Sequence, residues 1–159
     1  MDVFLRQARL EDLDRCYFIE KQCFPIGSAT KQRIGKRIEV FPEGFVLAEH
    51  ENKIAAMVNC GCINKEDLSD ELMKEMKHFY RDGKNLVIFS LAVLPEFQGK
   101  GIGTKLLNEI INRFQNKEKI MLLCQEHNIR FYTQFGFSEK GMSHLTYDGL
   151  RLHEMWKVL

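Results

Sequence analysis

The sequence lacks the features of a membrane-spanning or exported protein. None of its 159 residues belong to an apolar run approaching the roughly 20 residues that a bilayer-spanning helix needs. The first residues, Met1-Asp2-Val3-Phe4, do not lead from basic residues into an apolar core as a signal peptide does. We therefore expect no membrane partner and a cytoplasmic location.

A charge of one dominant sign is also absent. Lysine and arginine number 23 against 22 acidic residues, which gives a net charge of +1. Binding to a nucleic-acid backbone or an anionic membrane requires a basic excess, so we expect no nucleic-acid partner. With 45% hydrophobic and 28% charged residues, the composition is that of an ordinary globular protein, and the length predicts a single domain spanning 1–159.

Motifs for metal binding are missing as well. The five cysteines include one C-x-C pair, Cys60 and Cys62, but no second pair at zinc-site spacing. The five histidines form no H-E-x-x-H or H-x-H group. We expect no metal, and an odd number of cysteines lying mostly within apolar runs indicates buried, reduced thiols.

Hydrophobic periodicity indicates alternating strands and helices. A polar segment, 64–84, is expected to hold an acidic helix and a loop, and Ser28 is expected to cap the second helix. The expected strands are 3–9, 45–49, 53–63, 85–94, 119–124 and a hairpin over 136–158. One expected helix ends at Phe24, and three others cover 29–39, 102–115 and 126–135. This order predicts an α/β fold: one mixed sheet of about six or seven strands flanked by helices.

The most informative segment is a glycine-rich turn between a buried strand and a long amphipathic helix. Gly99, Gly101 and Gly103 alternate there, and Lys100 and Thr104 add a charge and a hydroxyl. Glycine allows close backbone approach, and unpaired N–H groups at a helix start attract phosphate. The spacing fits neither a nucleotide-triphosphate loop nor a dinucleotide fingerprint. A glycine-rich helix start without a ligand is the alternative.

Two motifs resemble those of a known family. Gln98-x-x-Gly101-x-Gly103, after the strand Ser90-Leu91-Ala92-Val93, resembles the acyl-CoA motif of the GNAT N-acetyltransferases. The second is Leu122-Leu123-Cys124 followed by Phe131-Tyr132-x-x-Phe135-Gly136-Phe137. These motifs, Phe24-Pro25 and the segment from Leu150 to Glu154 are most similar to the arylalkylamine N-acetyltransferase branch.

The resemblance implies acetyl-CoA as co-substrate and a splayed central strand pair. The free backbone of the splayed strand would bind the pantetheine arm as an added strand does, and the glycine turn would bind the pyrophosphate. The implied cofactor-binding residues are Leu91, Ala92, Val93, Gln98, Gly99, Lys100, Gly101, Ile102, Gly103 and Thr104.

Tyr132 lies where the family keeps the general acid that protonates the departing thiolate; the alternative is a core aromatic. The two histidines that the vertebrate branch carries before Leu91 are replaced here, at Val87 and Phe89. The catalytic base could instead be Glu20, His127 or water. Cys124 with His127 could form a Cys–His nucleophile, but a small buried thiol at a strand end is the preferred interpretation.

The acceptor is expected to be a small primary arylalkylamine that attacks acetyl-CoA directly in a ternary complex. By resemblance, its apolar site comprises Phe24, Pro25, Phe89, Leu123 and Leu152. A polyamine, bound through Glu66, Asp67, Asp70 and Glu71, or a protein N-terminus are alternative acceptors. A non-catalytic acyl-CoA-binding module is the alternative outside enzymes. We expect a monomer or a homodimer.

Overall fold

A computed structural model describes the chain except Glu71, Leu72, Lys74 and the side chain of Tyr147. Seven strands form one sheet in the order β1-β2-β3-β4-β5-β7-β6. The strands are β1 (Phe4–Gln7), β2 (Phe45–His50), β3 (Lys53–Ile63), β4 (Asn85–Val93), β5 (Lys119–Cys124), β6 (Ser138–Tyr147) and β7 (Leu150–Val158); the helices are α1 (Leu13–Cys23), α2 (Lys31–Val40), α3 (Ile102–Arg113) and α4 (Ile129–Thr133). The predicted α/β fold with a mixed sheet is confirmed.

Two sequence-based expectations are wrong in detail. Helix α2 is capped by Thr30 rather than Ser28, because the Thr30 hydroxyl accepts the N–H of Arg33 at 3.2 Å. The acidic helix expected within 64–84 is not found: the described part of that segment contains no α-helix. The Met76 backbone there adopts a φ of 62°, which a continuing helix does not allow.

The chain divides into two compact units, of which the first comprises Met1–Cys60 and Ser90–Arg113. The β2–β3 hairpin turns at Glu51 and Asn52, both of which have positive φ. Arg6 binds the Asp12 carboxylate through two 2.8 Å contacts and Glu49 through a third. The core of this unit includes Ile19, Ile34, Phe45, Leu47 and Met57.

The second unit comprises Gly61–Phe89 and Phe114–Leu159. Strand β5 pairs with the start of β4 in parallel and with β7 antiparallel. Strands β6 and β7 form the expected hairpin, whose turn at Asp148 and Gly149 has φ angles of 53° and 83°. A core cluster of this unit contains Ile63, Leu68, Met73, Val87 and Met121.

No helix of the described chain is both long and apolar enough to cross a bilayer. All five cysteines are free thiols, and four of them are buried, as the apolar sequence around them predicts. Within residues 1–70, 73 and 75–159, no three acidic, histidine or cysteine side chains converge as metal ligands would.

Candidate functional site

Strand β4 leaves its parallel neighbour before it ends. Its ladder with β5 has four residue pairs and stops at Ile88↔Leu122, whereas β4 continues to Val93 and β5 to Cys124. The expected splay of the central strands is therefore confirmed. A strand that leaves a ladder exposes backbone donors and acceptors that an extended ligand can use.

The glycine turn is open where a ligand would approach it. Gly99 and Gly101 have φ angles of 76° and 82°, and a Cβ on either glycine would meet no atom within 4 Å. Both positions therefore require glycine for the left-handed backbone and not for lack of space. Residues Gln98 to Gly101 are exposed, while Ile102 is buried and anchors the first turn of α3.

Helix α3 presents its positive end to this turn. The N–H of Lys105 donates to the carbonyl of Gly101 at 3.1 Å, which closes the first helical turn. The N–H groups before it belong to the helix start, where intrahelical acceptors are lacking. Gly103 is half-buried within the helix and Thr104 is exposed. The sequence-predicted cofactor residues thus form one continuous strand, turn and helix start.

The carbonyl of Val93 joins three segments of the first unit. It accepts a hydrogen bond from the Gln98 side-chain amide at 2.9 Å and from the Cys23 thiol at 3.3 Å. Burial raises the pKa of the Cys23 thiol to about 11, so this thiol keeps its proton at neutral pH and can donate it. Sequence reasoning missed Cys23, because only the fold brings it to residue 93.

Glu20, a candidate base, is buried and engaged on both oxygens. It is 3% exposed. Its Oε1 accepts the Ser90 hydroxyl at 2.8 Å, and its Oε2 accepts the backbone N–H of Ala29 at 2.9 Å. The partner Ser90 has a sequence signal, since it is the polar interruption of an apolar strand.

The loop after α1 carries two residues expected at the acceptor site. Phe24 is half-buried and packs against the core of the first unit, while Pro25 is exposed. Gly27, with a φ of 77°, turns the chain back toward α2. Ile26 is 52% exposed, which makes this loop an apolar surface of the first unit.

Tyr132 lies on α4 in the second unit and is 8% exposed. Its ring makes edge contacts with Phe131 and Phe137, with centroids 5.1 and 5.7 Å away. Burial raises the pKa of the phenol above its usual value, and the nearby Cys124 adds to the shift. The hydroxyl therefore holds its proton through the physiological range, as a proton donor must.

The thiol of Cys124 is not activated for nucleophilic attack. Burial raises its pKa to about 11, and its Sγ lies 3.6 Å from Met155 Sδ. A nucleophilic cysteine needs a lowered pKa, so this environment supports the interpretation of a buried structural thiol. His127, the other candidate base, is exposed in a short 3-10 turn, Glu126–Asn128.

Three apolar residues expected at the acceptor site belong to the second unit. Phe89 and Leu123 are half-buried and pack against its core cluster, and Leu152 is 8% exposed. A Cβ on Gly61 would lie 2.9 Å from the Phe89 ring, so that ring rests directly on the backbone of β3.

The acidic residues expected at a polyamine site are already paired in the described structure. Glu66 pairs with Lys84, and the Glu66 carbonyl accepts Lys119 Nζ at 2.6 Å. Asp67 accepts the Ser69 hydroxyl and N–H, and Asp70 contacts His78. The hydrogen bonds from Lys84 and Ser69 lower the pKa values of Glu66 and Asp67 respectively. Glu71 lies outside the described residues.

Comparison with known proteins identifies the family. The sequence model of the acetyltransferase (GNAT) family matches residues 8–137. An N-acetyltransferase of Porphyra purpurea, ycf52, is 25% identical over 138 residues, which cover 86% of this chain and 70% of that protein.

Solved structures of the same fold extend the likeness to nearly the whole chain. The loading GNATL domain of CurA from Lyngbya majuscula has a TM-score of 0.87 at 17% identity, covering 99% of this chain and 98% of that one. Arabidopsis thaliana Naa50, solved with a bisubstrate analogue CoA-Ac-MVNAL, has a TM-score of 0.78 at 21% identity and full coverage of both chains. At these identities the two structures show the fold alone. The family match shows that the chain belongs to the acetyltransferase (GNAT) family and is an acetyl-CoA-dependent N-acetyltransferase.

Proposed function

We propose that this enzyme acetylates a small primary arylalkylamine by direct attack of the amine on acetyl-CoA. The observation that carries the acetyl-CoA part is the continuous arrangement of the free end of β4, the open Gly99–Gly101 turn and the start of α3. The arylalkylamine part is supported by the resemblance of the motifs around Leu91 and Tyr132 to that branch.

The co-substrate would lie along this strand, turn and helix start. The pantetheine arm would bind the backbone of Leu91 to Val93 as an added strand, which fixes its direction through main-chain hydrogen bonds. The pyrophosphate would bind N–H groups from Gly99 to Thr104, where the open space beside both left-handed glycines admits it. Lys100 is exposed and supplies a positive charge.

The chemistry requires one new bond and two proton movements. The neutral amine nitrogen attacks the thioester carbonyl, and the backbone N–H of Leu91 stabilises the charge that develops on its oxygen. The carbon–sulfur bond then breaks, Tyr132 gives its phenolic proton to the thiolate, and the nitrogen loses a proton to a base. A phenol whose pKa is raised by burial still holds that proton at neutral pH.

The proton acceptor for the amine is His127 or water in this proposal. His127 is exposed, so its side chain is in contact with solvent. An amine with a pKa near 10 is about 0.1% neutral at pH 7, which supplies reactive amine without a dedicated base. The same scheme then predicts that the rate rises with pH through the neutral range.

An aromatic acceptor is favoured over a polyamine by the charges of the described residues. A polyamine needs free carboxylates for its second ammonium group. Glu66, Asp67 and Asp70 are each engaged by neighbours instead. Phe24, Phe89 and Leu123 keep part of their apolar surface exposed, and an aryl ring gains roughly 1–3 kcal/mol from burial against such side chains.

The deciding experiment is a thiol-release assay with saturating acetyl-CoA and a panel of amines. The panel contains tryptamine, phenylethylamine, spermidine and a short peptide with a free N-terminus. Preferential turnover of the two aryl amines supports the proposal. Preference for spermidine would indicate a polyamine acetyltransferase, and preference for the peptide would indicate a protein N-terminal acetyltransferase. Binding of acetyl-CoA without turnover of any amine would indicate a non-catalytic module.

A further inference from the structure

The Glu20 carboxylate is buried and accepts hydrogen bonds from two neutral groups. No lysine or arginine side chain in the described parts of the chain pairs with it; its partners are the neutral Ser90 hydroxyl and Ala29 N–H. Burying a carboxylate is unfavourable unless hydrogen bonds replace its water. These two hydrogen bonds therefore hold the Glu20 carboxylate in place and link it to Ser90 and Ala29.

The two partners of Glu20 come from functionally different segments. Ser90 directly precedes Leu91 on the strand that we assign to acetyl-CoA. Ala29 lies near the end of the loop of residues 24–30, which we assign to the acceptor. One side chain at the end of α1 thus joins the acceptor loop to the cofactor strand.

A second contact repeats this connection one helical turn later. Cys23, three residues after Glu20, donates through its thiol to the carbonyl of Val93 at 3.3 Å, and Val93 is three residues after Ser90. Residues three apart share a face of a helix, so one edge of the last turn of α1 follows the cofactor strand. The start of the loop is therefore held by the Cys23–Val93 hydrogen bond, and its far end is held by the bond between Ala29 and Glu20.

We propose that Glu20 is a positioning residue that holds the acceptor loop, residues 24–30, against the acetyl-CoA strand. This inference rests on the proposed function, because that function assigns Phe24 to the amine. It also gives Glu20 a different task from that of a base. Both of its oxygens already accept hydrogen bonds, and a base must pass its proton on to solvent, from which Glu20 is buried.

Two substitutions at Glu20 separate positioning from proton transfer. In Glu20→Gln, the side-chain carbonyl can still accept the Ala29 N–H and the amide can donate to the Ser90 hydroxyl, but the group no longer takes up a proton. Glu20→Ala removes both hydrogen bonds. Steady-state kinetics on the preferred amine, acetyl-CoA affinity by calorimetry, and amide hydrogen exchange of the 24–30 segment are measured for each.

We expect Glu20→Ala to raise the KM for the amine by about tenfold or more, because a loop bond to a charged group is lost. Amide exchange of the 24–30 segment should accelerate by a similar factor. The Kd for acetyl-CoA should change less than about threefold. Glu20→Gln should restore the amine KM, kcat and loop exchange to within about threefold of the original enzyme.

Two further variants serve as an independent test and a control. Ser90→Ala removes one partner with little change of volume, so it tests the same connection if Glu20→Ala does not fold; it should shift loop exchange and amine KM in the same direction. Glu39→Ala, at an exposed acidic position on α2, should leave both unchanged.

The proposal is wrong if Glu20→Gln loses kcat as completely as Glu20→Ala while loop exchange stays slow, because Glu20 would then be the base. It is equally wrong if neither Glu20→Ala nor Ser90→Ala accelerates exchange of the loop. Hydrogen exchange needs no substrate, so this readout stands even if the enzyme acetylates none of the panel amines. That latter result would contradict the proposed function and not the connection.

Discussion

The side-chain amide of Gln98 donates to the carbonyl oxygen of Val93 at 2.9 Å, across a short 3-10 turn that contains Pro95. This bond links the end of β4 to the glycine turn, so the two parts of the proposed acetyl-CoA site are held in one arrangement before any ligand binds. Proline contributes to the same end, since it has no N–H and a fixed φ. Preorganisation of this kind reduces the entropy lost on binding.

Substitution of Gly101 tests the assignment of the glycine turn. Gly101→Glu introduces a negative charge and a side chain where the pyrophosphate should bind, and we expect the Kd for acetyl-CoA measured by calorimetry to rise by tens of fold or more. Gly141→Glu is the matched control. Gly141 also has a positive φ, 112°, and open space around its Cβ position, but it lies on β6. Equal affinity in the two variants would refute the assignment.

Removal of the Tyr132 hydroxyl tests the general acid. Tyr132→Phe keeps the ring and its contacts with Phe131 and Phe137, so we expect the fold and the acetyl-CoA affinity to persist. If the phenol protonates the thiolate, kcat should fall by roughly 10²–10⁴-fold in the thiol-release assay. Tyr80→Phe, at a 55% exposed tyrosine, is the control for loss of a hydroxyl. Unchanged kcat in Tyr132→Phe would assign protonation to water.

Competition between amines tests the acceptor site. At equal concentrations of tryptamine and spermidine, we expect preferential acetylation of tryptamine, and Phe24→Ala should reduce that preference by about tenfold through loss of apolar contact area. Phe18→Ala removes a 44% exposed ring from α1 and should leave the preference intact. A preference for spermidine that is indifferent to Phe24→Ala would support the polyamine alternative.

The pH dependence of stability tests the Arg6–Asp12 pair. The hydrogen bonds from Arg6 lower the pKa of Asp12, so the folded state binds this proton less readily than the unfolded state does. The stabilisation is thus complete above the unfolded pKa of about 3.9 and is lost as the pH falls through the lower folded pKa. Asp12→Asn should reduce the free energy of unfolding in urea by about 2–4 kcal/mol at pH 7, and by less below about pH 4.

The control for this measurement is Asp14→Asn. The Asp14 side chain is 84% exposed and pairs with an exposed lysine, so we expect a change below about 1 kcal/mol at any pH. A difference between Asp12→Asn and the original protein that stays constant from pH 7 to pH 3 would mean that the effect of Asp12 does not depend on its charge.

Local patterns were sufficient for most of the fold. The run from Leu86 to Val93 is continuously apolar apart from Ser90, and the Asp148-Gly149 turn carries its own backbone preference, so neighbouring residues alone predict β4 and the last hairpin. The described part of the segment 64–84 contains no α-helix, and acidic side chains in it contact lysines distant in sequence, such as Glu66 with Lys84 and Lys119. Helix propensity depends on the residues of the segment itself and carries no information about contacts with distant parts of the chain.

In the candidate site too, one part could be predicted from local sequence and another depends on contacts between distant residues. The glycine turn is a local feature and was predicted from its sequence as a place of close backbone approach; the positive φ of Gly99 and Gly101 is added by the structure. Glu20 was named from sequence as a base, yet its partner Ser90 lies 70 residues away along the chain. The burial of Glu20 and its contact with a residue so far away in the sequence depend on how the strands and helices are arranged in the fold. A local sequence pattern does not predict that arrangement.

The close approach of Gly61 to Phe89 has a consequence for how this family can diversify. Since a Cβ at position 61 would lie 2.9 Å from the ring, the two positions share one volume, and a larger residue at 61 demands a smaller one at 89. In relatives of this chain, the side-chain volumes at positions 61 and 89 should therefore vary inversely: a larger residue at one position should accompany a smaller residue at the other. An engineer who wishes to reshape the surface at position 89 should change both residues together.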